Sequence, residues 1–192
     1  MSSFEEVQRR RPMRADARRN YDAVLDAARV AFTELGTGVA LEEIARRAGV
    51  GIATLYRNFP TREDLIETLY INEVSAIGDA AVEFADLAPW EALEAWIHRF
   101  VSFVGTKNAL IVGLNRDSET FKACRASLYR AGEPLLTRAQ ESAHARSDVS
   151  IDDVMRLVMG IAGVNFVSEA QRDHVMAIAI DGLRGPKAPE ID

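Results

Sequence analysis

Residues 41–59 read LEEIARRAGVGIATLYRNF, and they contain two short helical patterns separated by a glycine turn. The first pattern has apolar residues three and four positions apart, at Leu41, Ile44, Ala45 and Ala48. Gly49 can adopt the left-handed backbone that other residues resist. The second pattern, 52–58, is closed by Phe59-Pro60. Two short helices joined in this way predict a helix-turn-helix, whose second helix enters the major groove of DNA; a plain helical hairpin is the alternative.

The second of these helices has an apolar side and a polar side. Ile52 and Leu55, three positions apart, are expected to anchor it to the core together with Phe59. The opposite side presents small or polar residues, namely Gly51, Ala53, Thr54, Arg57 and Asn58. Small residues permit close approach, and the polar side chains can bond to phosphates or base edges. Tyr56 fits either a phosphate contact or packing.

Helical periodicity continues on both sides of this segment. Helices are predicted at 18–35, 62–85, 90–105, 119–146, 151–166 and 171–184. The pair Gly132/Pro134 leaves open whether 119–146 is one helix or two. Thr61 with Asp64, and Ser150 with Asp153, have the spacing of a capping box. Since no stretch alternates like a strand for long, the predicted fold is all-α.

Positive charge is concentrated near the beginning of the sequence. The 192 residues carry a formal net charge of −6, yet residues 1–62 hold 11 Lys+Arg against 8 Asp+Glu. Six arginines lie close together, at Arg9, Arg10, Arg11, Arg14, Arg18 and Arg19. Such asymmetry is typical of a basic arm that meets a polyanion, and a solubilising tail is the alternative. Residues 1–17 are expected to be a disordered basic arm.

Several other classes of protein find little support in the sequence. No apolar run approaches the ~18–20 residues that span a bilayer, and no apolar stretch follows the first arginines as in a secretory signal. Cys124 is the single cysteine, which excludes an internal disulfide framework. No phosphate loop, nucleophile–base pair or metal-ligand cluster is found. We therefore expect a cytoplasmic protein that is not an enzyme and uses no cofactor or metal.

Residues 18–66 resemble the DNA-binding domain of the TetR family of regulators. The matching residues occur in order: Ala28, Phe32, Gly36, Leu41 to Ala45, Ala48 to Val50, Leu55 to Phe59, and Thr61 to Leu65. The resemblance implies a recognition helix at about 51–58, with Gly51, Ala53, Thr54, Tyr56 and Arg57 at the DNA. Asn58 on the same helix, and Arg18 and Arg19 of the basic arm, are added as candidate DNA contacts.

The resemblance also implies a role for the first residue of the fourth helix and shows one departure. Arg62 matches a position that the family usually fills with Lys and uses on backbone phosphate. Ala40 stands where the family commonly has a Thr that caps the second helix and touches phosphate. Thr37, the amide of Leu41 or the basic arm are the candidates to substitute for that Thr.

Residues 67–186 are similar to the C-terminal domain of the SbtR-like subgroup, with 187–192 as a tail. The matching residues are Pro89 to Leu93, Trp96, Arg99 to Val101, Leu135-Leu136, Arg138 to Gln140, Asp148 to Val154, and Gly160. The similarity implies a domain for dimerisation and for binding a small-molecule effector. The candidate ligand-binding residues are Trp96, Phe100, Phe103, Phe121, Arg125 and Tyr129, although each aromatic taken alone fits an ordinary core better than a ligand site.

The last two predicted helices indicate a homodimer. The runs 154–164 and 175–183 are apolar almost all round, and such helices must be buried against something. The candidate interface residues are Val154, Val158, Ile161, Val164, Val175, Ile178 and Leu183; an ordinary pair of core helices is the alternative. The two DNA-binding halves of a homodimer would read two half-sites, which predicts a roughly palindromic DNA site. The combined prediction is a ligand-responsive repressor that a small molecule releases from its operator.

Overall fold

The computed structural model describes residues 12–111 and 118–185, without the side chains of 105–111. The helices are α1 Ala15–Leu35, α2 Leu41–Arg47, α3 Ile52–Asn58, α4 Arg62–Glu83, α5 Pro89–Ile111, α6 Glu119–Glu141, α7 Ile151–Ala162 and α8 Glu169–Asp181. A short 3-10 turn, Phe84–Asp86, lies between α4 and α5. No strand occurs in the described residues, so the predicted all-α fold is confirmed. Most of the predicted basic arm, 1–11, and the tail 187–192 lie outside the described residues.

The chain forms two compact units. Of the described residues, those up to Val74 and those within Thr106–Arg125 form the first unit, and those within Ser75–Gly105 and from Ala126 onward form the second. The division between Val74 and Ser75 falls inside α4, so this helix contributes to both units.

The core of the first unit is built from apolar residues of the helices α1 to α3 and of the beginning of α4. Phe32 of α1, Ile44 of α2 and Leu55 of α3 are among its fully buried members. Gly36 ends α1 with φ +77°, and Gly49 joins α2 to α3 with φ +67°. Both glycines adopt the left-handed region, in which a Cβ is unfavourable. The predicted glycine turn of the helix-turn-helix is therefore confirmed.

Both capping boxes that the sequence predicts are present. The Thr61 backbone N–H donates to Asp64 Oδ2 at 3.1 Å, and the Asp64 N–H donates to Thr61 Oγ1 at 3.0 Å. Ser150 and Asp153 make the same reciprocal pair at the start of α7. These pairs satisfy amides at helix starts that have no partner within the helix.

Helix α6 is continuous past Gly132/Pro134, so of the two alternatives that the sequence left open, the structure has one helix. Pro134 lies inside the helix, and buried residues on both sides of it, including Leu128 and Leu136, hold the helix together through packing. Gly132 is present because another side chain approaches closely. A Cβ placed on it would lie 2.4 Å from Trp96 Cη2 and 2.7 Å from Ile151 Cδ1.

Two backbone hydrogen bonds hold the end of the second unit in place. The Arg146 N–H donates to the Leu183 carbonyl at 3.0 Å, and the Gly185 N–H donates to the His144 carbonyl at 2.8 Å. Helices α7 and α8 end a few residues earlier than predicted, near Gly163 and Gly182. Within residues 12–111 and 118–185, none of the helices combines the length and apolar composition that a bilayer crossing requires.

Replacement of Gly132 by alanine should destabilise the second unit. The added methyl group overlaps the Trp96 ring, and overpacking of this kind costs about 1–3 kcal/mol of unfolding free energy. Gly78→Ala in α4 is the matched control, because a Cβ at Gly78 meets nothing within 4 Å. That control should be neutral or stabilising by up to about 1 kcal/mol. Urea unfolding, monitored by circular dichroism, measures the unfolding free energy of both variants. Equal changes in the two would contradict the close approach of Trp96.

Candidate DNA-binding interface

Helix α3 has one buried side and one exposed side. Leu55 and Phe59 are fully buried, and Ile52 packs against the same core, so the predicted anchoring of this helix is confirmed. On the other side Gly51, Ala53 and Arg57 are exposed, and 45% of Tyr56 is accessible. Since Tyr56 is not in the core, its exposure favours an outward contact over packing.

The polar side chains of α3 are held against their own helix. Arg57 Nε donates to the Ala53 carbonyl at 3.2 Å, and Arg57 Nη2 donates to Thr54 Oγ1 at 2.9 Å. The half-buried Asn58 donates from Nδ2 to the Thr54 carbonyl at 2.9 Å. Because a guanidinium has five N–H donors, these bonds orient Arg57 and leave it able to bond outward.

Arg62 is half-buried and bonds to the protein's own backbone. Its Nη1 donates to the carbonyl oxygens of Thr37, at 2.7 Å, and Val39, at 2.6 Å, in the loop before α2. That loop ends at Ala40, which precedes α2 in extended conformation and makes no side-chain cap. The sequence does not predict this arrangement, because the residues involved lie 23 and 25 positions apart.

The described part of the basic arm extends into the first helix. Helix α1 begins at Ala15, three residues earlier than predicted, and Arg14 precedes it in extended conformation. Arg18 and Arg19 are exposed on its first turns. Arg19 pairs with Asp16, and Arg18 Nε lies 3.5 Å from the Pro12 carbonyl oxygen.

Glu43 binds both arginines of α2. Arg46 donates to it from Nε and Nη2, each at 2.8 Å, and Arg47 donates from Nε at 2.8 Å. Arg47 Nη1 also reaches Glu34 of α1 at 2.6 Å. The hydrogen bonds from Arg46 and then Arg47 lower the pKa of Glu43 to about 2. The pairs of Glu43 with Arg46 and Arg47 were not predicted, although their (i, i+3) and (i, i+4) spacings are typical of ion pairs on a helix.

The candidate ligand-binding residues are distributed over both units. Trp96, Phe100 and Phe103 are buried in the second unit, where the Trp96 and Phe100 rings stack with centroids 5.9 Å apart. Trp96 Nε1 donates to the Ile77 carbonyl at 3.3 Å. Tyr129, also in the second unit, is half-buried and donates to Asp152.

The other two candidates lie in the first unit. Phe121 is half-buried and stacks on Tyr70 with ring centroids 5.5 Å apart, while Arg125 is exposed. Beside them burial raises the pKa of the Cys124 thiol to about 12, with a further contribution from Glu67. Burial also raises the pKa of Tyr70. Both groups therefore stay protonated near neutral pH.

The predicted dimer residues divide into a buried and an exposed set. Val154, Val158 and Leu183 are buried within the second unit, so they are core residues and cannot face a partner chain as predicted. Ile161 and Val175 are half-buried. Large parts of the remaining two, Val164 and Ile178, are exposed, as are the unpredicted Leu157 and Val167. The apolar pattern does not separate the sets, because both have members on α7.

The buried anchor of α3, its exposed small and polar side, and the glycine turn to α2 define a helix-turn-helix DNA-binding protein. Residues 24–69 match the family of bacterial regulatory proteins described as the tetR family. Residues 88–185 match the C-terminal domain of SbtR-like transcriptional regulators. The chain belongs to the TetR family of transcriptional regulators.

Solved structures and one named repressor resemble the chain. The TetR regulator SCO0520 of Streptomyces coelicolor is 37% identical with a TM-score of 0.75, and the alignment covers 87% of this chain and 99% of that one. The TetR regulatory protein of Mycobacterium vanbaalenii is 32% identical with a TM-score of 0.72, covering 90% and 99%. The HTH-type transcriptional repressor LfrR of Mycolicibacterium smegmatis is 42% identical over 64 residues, which is 33% of each chain.

The carboxyl group of Glu43 should titrate far below an ordinary glutamate. Its folded pKa of about 2 is below the ordinary value of 4.5, so its contribution to stability is present above pH 4.5 and is lost as the pH falls toward 2. A carbon-13 NMR titration should show the low midpoint, and Arg46→Ala should move it toward 4.5. Arg130→Ala, a change on α6, should not move it. A midpoint near 4.5 in the unmodified protein would show that the arginine bonds do not persist in solution.

Proposed function

We propose that this regulator is a repressor that leaves a two-fold symmetric operator when a small molecule binds to it. The observation that carries the proposal is the exposed side of α3, held in a fixed orientation by the buried Leu55 and Phe59. A third of the chain is similar to a protein named as a repressor, which supports repression rather than activation.

In the proposed complex, α3 lies in the major groove and its outward residues touch DNA. Gly51 and Ala53 allow close approach, and Arg57 is the strongest candidate for a base contact because a guanidinium can bond bidentately to guanine. Thr54, Tyr56 and Asn58 supply hydroxyl and amide groups for phosphates or base edges. The exposed Arg18 and Arg19 are assigned to phosphates beside the groove.

The exposed apolar side chains of the second unit support a homodimer, the typical state of the family. Val167 is 94% exposed and Ile178 is 59% exposed, and Val164 and Leu157 lie on the same stretch of chain. Large apolar side chains exposed together mark an interaction surface. A symmetric pair would place two α3 helices on half-sites about 34 Å apart, one turn of DNA.

The effector is assigned to the second unit. Trp96, Phe100 and Phe103 form an apolar aromatic group there, which fits an apolar or amphipathic molecule. Tyr129 of the same unit is the other proposed contact, while Phe121 and Arg125 belong to the first unit and stay predictions from the sequence. Release of DNA requires that the effector bind the DNA-free state more tightly than the DNA-bound state.

Replacement of Arg57 by alanine should weaken specific DNA binding by about 1–3 kcal/mol. The assay is fluorescence anisotropy on a duplex selected from a random pool by the unmodified protein. Arg130→Ala removes the same charge from the second unit and should leave the affinity unchanged. If Arg57→Ala binds the duplex as tightly as the unmodified protein, the assignment of Arg57 is contradicted. A selection that enriches no symmetric site would contradict the repressor proposal as a whole.

Replacement of Ile178 by glutamate should weaken the dimer. In a two-fold interface the change occurs twice, so we expect the dimer dissociation constant to rise by about tenfold or more. Sedimentation velocity over a concentration series measures it. The matched control is Val82→Glu, because Val82 is 76% exposed on α4 and is not assigned to the interface. An unchanged dissociation constant for Ile178→Glu would remove α8 from the interface.

A further inference from the structure

One guanidinium joins the two segments that flank the helix-turn-helix. Arg62 is the first residue of α4 and follows the turn that ends α3. Its Nη1 donates to the backbone carbonyl oxygens of Thr37 at 2.7 Å and Val39 at 2.6 Å. We call these two bonds the Arg62 bridge. The bridge connects the loop before α2 to the residue that begins α4.

The loop that the bridge reaches begins and ends without side-chain caps. Gly36, at its start, has φ +77°, and the Val39 N–H donates to the Gly36 carbonyl at 3.3 Å. Ala40, at its end, gives α2 only a backbone carbonyl and makes no side-chain cap. A bond from a charged donor is about twice as strong as a neutral one, so the bridge can supply the restraint that a capping side chain would supply.

We propose that Arg62 is a positioning residue, which holds the Thr37 and Val39 carbonyls and thereby sets the orientation in which α2 and α3 meet DNA. The inference rests on the DNA-binding role proposed above for α3. It differs from the role that the family resemblance implies for this position, a direct bond to backbone phosphate.

The surroundings of Arg62 favour positioning over a phosphate contact. The Nη1 of Arg62 is committed to two short bonds, and moving it to a phosphate would break both. A guanidinium has further donors at Nε and Nη2, and the salt slope of DNA binding shows whether they bond to phosphate. The next two residues, Glu63 and Asp64, are acidic and lie in the same first turn of α4. Their charges repel phosphate, whereas the carbonyls of Thr37 and Val39 are neutral acceptors.

The test compares Arg62→Met, which removes charge and donors but keeps a long side chain, with Arg62→Lys, which keeps both. Arg130→Met is the control for loss of a positive charge elsewhere. Amide NMR resonances of residues 36–41 are recorded in the DNA-free full-length protein. Anisotropy on the selected duplex is then measured at several salt concentrations, so that the slope of log affinity against log salt is obtained for each variant.

Arg62→Met should shift the amide resonances of residues 36–41 and lower the DNA affinity about tenfold or more at every salt concentration. The salt slope should stay at the value of the unmodified protein, because no phosphate contact is lost. Arg62→Lys should restore both the resonances and the affinity. Arg130→Met should change neither.

Two results would overturn the proposal. If Arg62 bonds to DNA phosphate instead, Arg62→Met would have a salt slope smaller by about 0.9 per contact, hence about 2 in a symmetric dimer. The resonances of the loop would then be unmoved. Moved resonances with unchanged affinity would show that the bridge has no bearing on DNA. If Arg62→Met does not fold by circular dichroism, Arg62→Gln removes the charge but keeps an amide donor; an unchanged salt slope then supports positioning, and a slope smaller by about 2 supports a phosphate contact. If the unmodified protein binds no duplex, the proposed function fails as well, and the resonances alone still show whether the bridge exists.

Discussion

Helix α3 has only seven residues, and a helix of that length does not persist in water by itself. Its formation depends on the burial of Leu55 and Phe59 in the core that α1 and α2 provide, where the Tyr21 and Phe59 rings lie 4.9 Å apart. Because the apolar side is committed to that core, the opposite side is exposed in a defined orientation. The exposed residues therefore contribute little to the fold. In the proposed function their side chains can be determined by DNA binding alone.

The features that the sequence predicted well are local ones. The bounds of α3, the left-handed Gly49 and the capping box of Thr61 with Asp64 each follow from residues a few positions apart. The family resemblance adds the order of the helices, and the matches to the TetR family and to its solved structures confirm this order. In each case backbone preference and apolar spacing indicate the same structure, so tertiary packing has no conflict to resolve.

The features that the sequence did not predict depend on contacts between distant residues. Gly132 and Pro134 suggested a break in α6, yet Gly132 is a place where Trp96 approaches and the helix continues past it. Val154 and Val158 share the apolar pattern of their exposed neighbours, so periodicity could not tell buried positions from exposed ones. The family resemblance assigned Arg62 to a DNA phosphate, whereas in the structure it donates to two backbone carbonyl groups. Every residue has a backbone carbonyl, so the sequence contains no pattern that predicts this contact.

Helix α4 gives the two units a physical connection that the proposed regulation can use. Its first part is fixed to the first unit at two points, by Arg62 and by Glu73, whose Oε1 lies 2.5 Å from Arg29 Nε of α1. Its residues from Ser75 to Glu83 belong to the second unit. A hydrogen bond is lost when its donor moves about 1 Å too far, so a shift of α4 that the Arg62 side chain cannot follow would break the Arg62 bridge. An effector that favours such a shift would thus loosen the loop before α2, and DNA affinity would fall without any contact between the effector and α3.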